Sequence, residues 1–512
     1  MELGISIKKL TDEEIWKLIE SDAILQYTRL LTGFITRCRQ VGWNSSRLRA
    51  EIDVHSPSKR SVEWLFLRQV DYLYGMYEST LTANKQTDFS ELMANAVGNI
   101  QSGAMDFYRR SGNGNLAAIR YISVDEFQDF SFLFDSMIKA IVKNNNQVSL
   151  FCVGDDWQAI NGFAGSDLAY FDEFLESVPN SKRIYLSTNY RSDASIVNFG
   201  NSIMAGRGRE SIANKPSHNL PLIGYLDEMV LTPTEMERSE SDLITPALLR
   251  IIESQLKLDR DVVVLSRTNN IPYYTDSSES VYKVKNLDSF LKHLQSYFPE
   301  EIAKRISINT AHRYKGRERH AVIILDASEK RYPLIHRDWV FSRIFGIDLN
   351  VLADDDRRLF YVAATRAIDQ LFVLCESRET LSPYVDGEGH QHADLVWANY
   401  RAPASKVNPV IVQVADILRG STYSMRELLT AGAFKWSGAA KIWQKAFMPE
   451  AFSIDSLKSQ SWARPQLDLP DSRILVSINA EPHGEIAQFE VRNGEWITRF
   501  NRLTSLDVET TN

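Results

Sequence analysis

From about residue 117 the chain alternates short β-rich apolar runs with helical stretches, and this alternation constrains the fold more than any other feature. The runs are "AIRYISVDE", "QVSLFCVGD", "RIYLST", "DVVVLSRT", "ISINTAH", "AVIILDA" and "QLFVLCE". Several are apolar on both faces, as strands of a covered parallel sheet must be. The pattern predicts an α/β doubly wound architecture. Ligands bind such sheets at the carboxyl ends of the strands, so the polar cluster after each run is where chemistry is expected.

The flanks differ. Residues 1–116 read as helical, with Thr11 as N-cap and Glu14 three residues on. Beyond about 380 a turn-rich stretch leads into a mixed helical region. Then "RILVSINA" and "AQFEVRNGEWITRFN" predict a few strands, the second carrying an Asn-Gly hairpin signal. No apolar run is long enough to span a bilayer, and the N-terminus is acidic and amphipathic rather than a signal peptide. Cys38, Cys152 and Cys375 lie far apart, two of them inside apolar runs, so buried reduced thiols and a cytoplasmic location are expected. A net charge of −8 argues against a broadly basic surface. It leaves room for a nucleic-acid channel, which needs only a local basic lining.

Five polar clusters follow the runs. Asp125 and Glu126 end the first, where one carboxylate can hold a divalent cation and the next can orient a water. A bare acidic pair is more often a solvated turn. In "VGDDWQAINGFAGSD" Gln158 can reach a phosphate, and Trp157 and Phe163 are loop aromatics that can stack on bases or anchor the loop. Arg191 follows the third run. Thr310, His312, Lys315, Gly316 and Glu318 lie between two apolar runs, with the glycine among basic residues as close approach to an anion requires. Arg366 follows the helical stretch "RRLFYVAATRA".

Taken in order, "VDEFQD", "VGDDWQAINGFAGSD", "LSTNYRS", "NTAHRYKGRERHAVII" and "RRLFYVAATRA" resemble motifs II to VI of the UvrD/Rep superfamily 1 helicases, most closely the DNA helicase IV branch. The likeness runs over about residues 85 to 375 and includes "DFSELM" at 88–93. It implies two RecA-like domains of the P-loop NTPase type, ATP with Mg²⁺ as cofactors, and 3′–5′ movement on single-stranded DNA. By resemblance Asp125 holds the metal, Glu126 positions the hydrolytic water and Gln158 senses the γ-phosphate. Arg191 and Arg366 reach that phosphate from the second domain. Glu318 matches the acid near the nucleotide sugar, Phe163 sits where the family has a base-stacking tryptophan, and Thr310 and His312 match residues along the single strand. Gly316 and Trp157, read from the residues themselves, join them as candidates for the nucleotide and for the DNA. The domain boundaries this implies are a helical 1B-like region at 1–116, a partial first RecA-like domain at 117–185, a complete second one at 186–380, and a C-terminal extension at 381–512.

Three departures stand out. Where the family's third motif places an aromatic pair and an arginine, this chain has Asn161, Phe163 and Ala164. The interval from 262–270 to 306 is too short for the large 2B insertion of Rep and UvrD. No G-x-x-x-x-G-K-[ST] stretch occurs in the sequence, so the phosphate-cradling Walker A loop is missing from it. The chain is expected to begin after that loop's place. The expected readings are a truncated or split helicase with a partner chain supplying the loop, or a non-catalytic scaffold or DNA-binding subunit derived from one.

Overall fold

In a computed structural model the chain is described over residues 23–233, 235, 243–272, 284–385, 391–403, 410–438, 440–447, 452–466, 468–480 and 484–502. The helix start expected at Thr11 and the tail after 502 lie outside these residues. The chain forms two compact units, one of residues 1–225 with 310–395 and one of residues 226–309 with 396–512.

The first unit opens with four helices, α1 (Ala23–Gln40), α2 (Ser45–His55), α3 (Val62–Ala83) and α4 (Phe89–Gln101). Asn44, Ser61 and Asp88 cap the last three, each accepting from a backbone N–H three residues on. Leu31, Phe34 and Cys38 of α1 pack with Leu48 of α2, with Phe66, Leu67, Val70 and Tyr74 of α3, and with Phe341. The Phe66 and Phe341 rings stack at 4.0 Å.

Next come β1 (Tyr121–Val124) and β2 (Ser149–Cys152), joined through α5 (Phe132–Asn144) and paired in parallel. These two strands are a sheet by themselves among the described residues. The expectation that they are covered on both faces is not met: Tyr121 is 82% exposed and Phe151 65%. The run "RIYLST" also departs from expectation. Only Thr188–Asn189 is strand, paired with Ile212–Ala213, while Ile184 and Leu186 are 83% and 86% exposed. A strand needs a ladder to satisfy its backbone, and among the described residues no strand lies alongside 183–187 to provide one.

The runs "AVIILDA" and "QLFVLCE" meet the expectation, and two strands the sequence did not announce join them. Strands β3 (Leu222–Tyr225), β4 (Arg319–Ile324), β5 (Ala367–Cys375) and β6 (Ala393–Asp394) form a parallel array in the order β4–β5–β3–β6. Ala321–Ile324 and Leu371–Val373 are buried on both faces, as continuous apolar strands should be. Helix α6 (Ala194–Ile203) follows Arg191, and α7 (Leu349–Ala364) leads into β5. Asp348 caps α7 by accepting from the Val351 N–H at 2.9 Å. Asp348→Ala should cost about 1 kcal/mol, read as a shift in the denaturant midpoint at constant slope.

In the second unit the fully buried strand Val262–Ser266 neighbours Ile306–Thr310 in its sheet, and helices Ile244–Lys257 and Leu287–Gln295 carry apolar faces. The C-terminal part is a six-stranded antiparallel sheet rather than a mixed helical region with a few strands. Its strands are β7 (Val410–Asp416), β8 (Lys435–Ser437), β9 (Ile442–Phe447), β10 (Arg473–Ala480), β11 (Gly484–Arg492) and β12 (Glu495–Asn501), in the order β8–β9–β7–β10–β11–β12. The Asn-Gly signal is realised: Asn493 and Gly494 take φ of 39° and 85° and join β11 to β12 as a two-residue turn. A Cβ at Gly494 would also lie 2.3 Å from the Pro465 nitrogen.

Candidate functional site: a relay of polar side chains around a buried arginine

All the chemistry-bearing clusters except the Thr310 strand itself lie wholly within the first unit. Strand β1 ends at Asp125 and Glu126, where the chain turns sharply. Glu126 has φ 52°, a left-handed conformation rare for a glutamate and costly by about 1–3 kcal/mol. Three contacts hold it there. Asp125 Oδ1 accepts from the Glu126 N–H at 2.9 Å, Gln128 Nε2 donates to Glu126 Oε2 at 2.5 Å, and the Phe127 N–H donates to Val153 O at 2.9 Å.

Gln128 is fully buried and links two clusters that are separate in sequence. Its Oε1 accepts from the Asp155 N–H at 3.0 Å. Asp155 Oδ2 accepts from Gln158 Nε2 at 2.6 Å, and Gln158 Oε1 accepts from Arg366 Nη2 at 3.2 Å. A continuous hydrogen-bonded path therefore joins Glu126 to Arg366 through Gln128, Asp155 and Gln158. Neither Gln128 nor Asp155 was expected from sequence to take part. Both lie in the acid- and amide-rich clusters, but nothing local indicates that one reaches the other.

Lys315, named in its cluster but given no role from sequence, also enters the network. Its Nζ donates to Asp129 Oδ2 at 2.6 Å and to Gln158 O at 2.9 Å, and lies 3.9 Å from Glu126 Oε2. Gly316 beside it has φ 78°, so the turn after the lysine suits glycine. Arg191 leaves an Asx turn in which Asn189 Oδ1 accepts from the N–H groups of Arg191 and Ser192, and its Nε meets Glu318 Oε2 at 2.6 Å.

Arg366 is 2% exposed. Its Nε donates to Val362 O at 3.0 Å, and none of its nitrogens pairs with a carboxylate among the described residues. Burial, and then the nearby Arg191 charge, lower its pKa to about 10. Arg191 and Arg366 line one cavity of about 340 Å³ together with Asp155, Gln158, Tyr190 and Tyr361. Two guanidinium groups converging on a cavity, one of them desolvated and only indirectly balanced by the charges of Asp155 and Glu126, are chemically suited to an anion.

The expected DNA-facing residues are less uniform. Trp157 does not offer a stacking face: it is 3% exposed, its Nε1 donates to Arg207 O at 2.5 Å, and its ring meets Tyr361 edge-on at 5.3 Å. The indole is absorbed by packing because the loop that carries it turns inward. Thr310 is buried too, with its hydroxyl accepting from the Arg313 N–H at 3.3 Å. His312 is half-buried in the turn that follows. The side chain of Phe163 lies outside the described residues. Cys38 and Cys375 are buried and Cys152 half-buried, all as free thiols. No described helix is long and apolar enough to cross a membrane.

A parallel α/β fold with acids, amides and arginines gathered at strand ends defines a protein of the helicase class of RecA-like NTPase folds. The UvrD/REP helicase N-terminal domain model matches residues 8–179 and the UvrD-like helicase C-terminal domain model matches 273–378. Together they span more than half of the sequence, and the chain belongs to the UvrD/Rep helicase family. It is 25% identical over 387 residues to DNA helicase IV of Escherichia coli K12, covering 74% of this chain and 50% of that protein. It is 26% identical over 316 residues to a probable DNA helicase of Mycoplasma pneumoniae, covering 60% and 53%. With the ATP-dependent DNA helicase PcrA of Staphylococcus epidermidis it shares 24% over 265 residues, covering 49% and 34%. The chain thus spans about half the length of the first two relatives and a third of the last.

Proposed function

We propose that this chain supplies most of an ATP-dependent motor that moves 3′–5′ along single-stranded DNA. The observation that carries the reading is the contact between Arg366 Nη2 and Gln158 Oε1 at 3.2 Å. It ties a buried cation to an amide that continues, residue by residue, to Glu126. On this reading residues 117–185 and 186–380 act as two RecA-like halves, with 1–116 as a 1B-like region.

The residues suit the expected cofactors at one end. Magnesium is usually held by one or two carboxylates and by substrate phosphates, not by a cage of protein ligands. No group of three or more metal-binding side chains occurs among the described residues, and exposed Asp125 fits the smaller role. Bound Mg²⁺ would neutralise charge on the phosphates. Glu126, held rigid by Gln128, orients and accepts a proton from the attacking water. Arg366 and Arg191 supply positive charge at the γ end, the kind of contribution worth ~10³-fold in related NTPases. Gln158 couples that end to Glu126. Glu318 must release Arg191 for this to happen. Gly316 and Glu318 flank the nucleotide, while Phe163 and the turn from Thr310 to His312 meet the DNA.

Nothing in the sequence cradles the other phosphates. On the motor reading, a polypeptide that bears a Walker loop would have to supply that cradle. The two-stranded β1–β2 sheet favours this, and it equally favours a second reading in which the chain binds DNA without turnover. The test is ATP hydrolysis, with and without single-stranded DNA, before and after adding a polypeptide that bears a Walker loop. Turnover that depends on the added polypeptide supports a motor; none under any condition supports the non-catalytic reading. DNA affinity gives a further check. Phe163→Ala should weaken single-strand binding by ~1–3 kcal/mol at low and high salt alike, since stacking is not a charge effect. Unchanged affinity in a fluorescence-anisotropy titration would remove Phe163 from the DNA path.

A further inference from the structure

The C-terminal sheet buries one face and leaves the other polar. Val412, Val414, Ile474, Val476, Ile478, Phe489 and Val491 form the buried side with Leu429, Leu457 and Trp462 from the helical segments. On the opposite side, cross-strand pairing aligns Gln413 with Ser477, Ser477 with Gln488, and Gln488 with Phe500. This row runs over β7, β10, β11 and β12 and is made of two half-buried amides, the hydroxyl of Ser477 at 9% exposure and one half-buried aromatic ring.

Beside the row lies an arrangement that a merely solvated sheet face would avoid. Arg473 and Arg492 are direct cross-strand partners, and like charges placed so destabilise a sheet. Arg499 on the third strand joins them. All three converge on Glu490, with Arg473 Nη2 at 2.9 Å and Arg492 Nε at 2.7 Å from Oε1, and Arg499 Nη2 at 3.2 Å from Oε2. The carboxylate is nearly buried while each guanidinium remains about half exposed. These contacts hold the Glu490 carboxyl down to about 2, Arg492 contributing most, so it stays charged at any working pH. One acid therefore fixes three arginines, and each contact engages few of a guanidinium's five N–H donors. Glu495 opposes Arg492 and Glu485 lies at the far end of β11. Three arginines and three glutamates thus share this part of the sheet, and it is Glu490 that the guanidinium groups grip.

We infer that this face of β10–β12 binds the backbone of single-stranded DNA, at a site separate from the helicase motifs. Pre-oriented guanidinium forks match phosphate oxygens. A flat row of amides with an aromatic ring suits unpaired bases, which a sheet can contact face-on. An acidic protein partner would satisfy the charge but would not need the amide row.

The experiment uses the full chain and a fluorescent oligothymidylate, with affinity measured across a salt series. R473Q/R492Q/R499Q should bind about tenfold more weakly at low salt. Its slope of log affinity against log salt should be shallower by about one to two, at ~0.7 for each phosphate of a single strand that the protein no longer neutralises. R473K/R492K/R499K keeps the charge and should keep most of the slope. Phenylglyoxal modification of the unaltered protein provides a readout that does not depend on the variants folding: the oligonucleotide should protect Arg473, Arg492 and Arg499. An unchanged slope in the glutamine variant, absence of protection, or equally effective competition by polyglutamate overturns the assignment.

Discussion

Arg366→Met should make the ligand-free protein more stable while abolishing its response to inorganic triphosphate. Burial and the neighbouring Arg191 depress the Arg366 pKa from its ordinary value to about 10. A cationic group with a lowered folded-state pKa costs the native state at every pH below that value, and the cost is relieved only as pH climbs through it. A shift of this size corresponds to a penalty on the order of 3 kcal/mol. Methionine removes the charge and fills similar space. It also forfeits the bonds to Val362 O and Gln158 Oε1. The expected net gain is about 1–2 kcal/mol, read as a higher midpoint in urea at neutral pH. Inorganic triphosphate should raise the midpoint of the wild-type chain and leave the variant unmoved. A variant that is less stable than wild type, or that responds equally to triphosphate, would show that Arg366 is a structural residue.

The largest effect concerns turnover itself. On the proposed reading the chain by itself should show no DNA-stimulated ATP hydrolysis, because the two guanidinium groups of one cavity cannot replace a nest of backbone donors. With a loop-bearing polypeptide added, turnover should appear and Glu126→Gln should lower it by ~10³-fold, within the range for loss of a positioned base. Gln128→Leu should lower it too, with binding of the nucleotide little changed, because Gln128 touches Glu126 rather than substrate. Hydrolysis by the monodisperse chain alone that disappears on Glu126→Gln would contradict this arrangement.

Much of the fold was legible where burial is simple. Ala321–Ile324 and Leu371–Val373 read as strands because a run apolar on both sides has few other solutions. The Asn493–Gly494 turn was legible because a two-residue hairpin demands positive φ at both positions. Strand β7 was missed although "VIVQVAD" alternates, with Val410, Val412 and Val414 facing the core. Its partners lie far along the chain, and no local turn announces them. The site shows the same division. Asp125, Glu126, Gln158 and Arg191 stand after apolar runs and Arg366 at the end of a helical stretch, which is why sequence alone singled them out as candidates. The links between them were not, because Lys315 lies 186 residues from Asp129, and Gln128 lies 27 from Asp155. For Trp157 the sequence left two uses open, base stacking or anchoring the loop, and tertiary packing against Tyr361 takes the second.

The open edge of the β1–β2 sheet has a consequence for timing. A parallel pair with Tyr121 and Phe151 facing water, and an unpaired run at Ile184 and Leu186 nearby in sequence, is adhesive before it is useful. On the proposed reading, a segment that pairs with this edge would bury these side chains, and without one like edges find each other first. Resistance to self-association and capacity for turnover would then rise together as that segment is added.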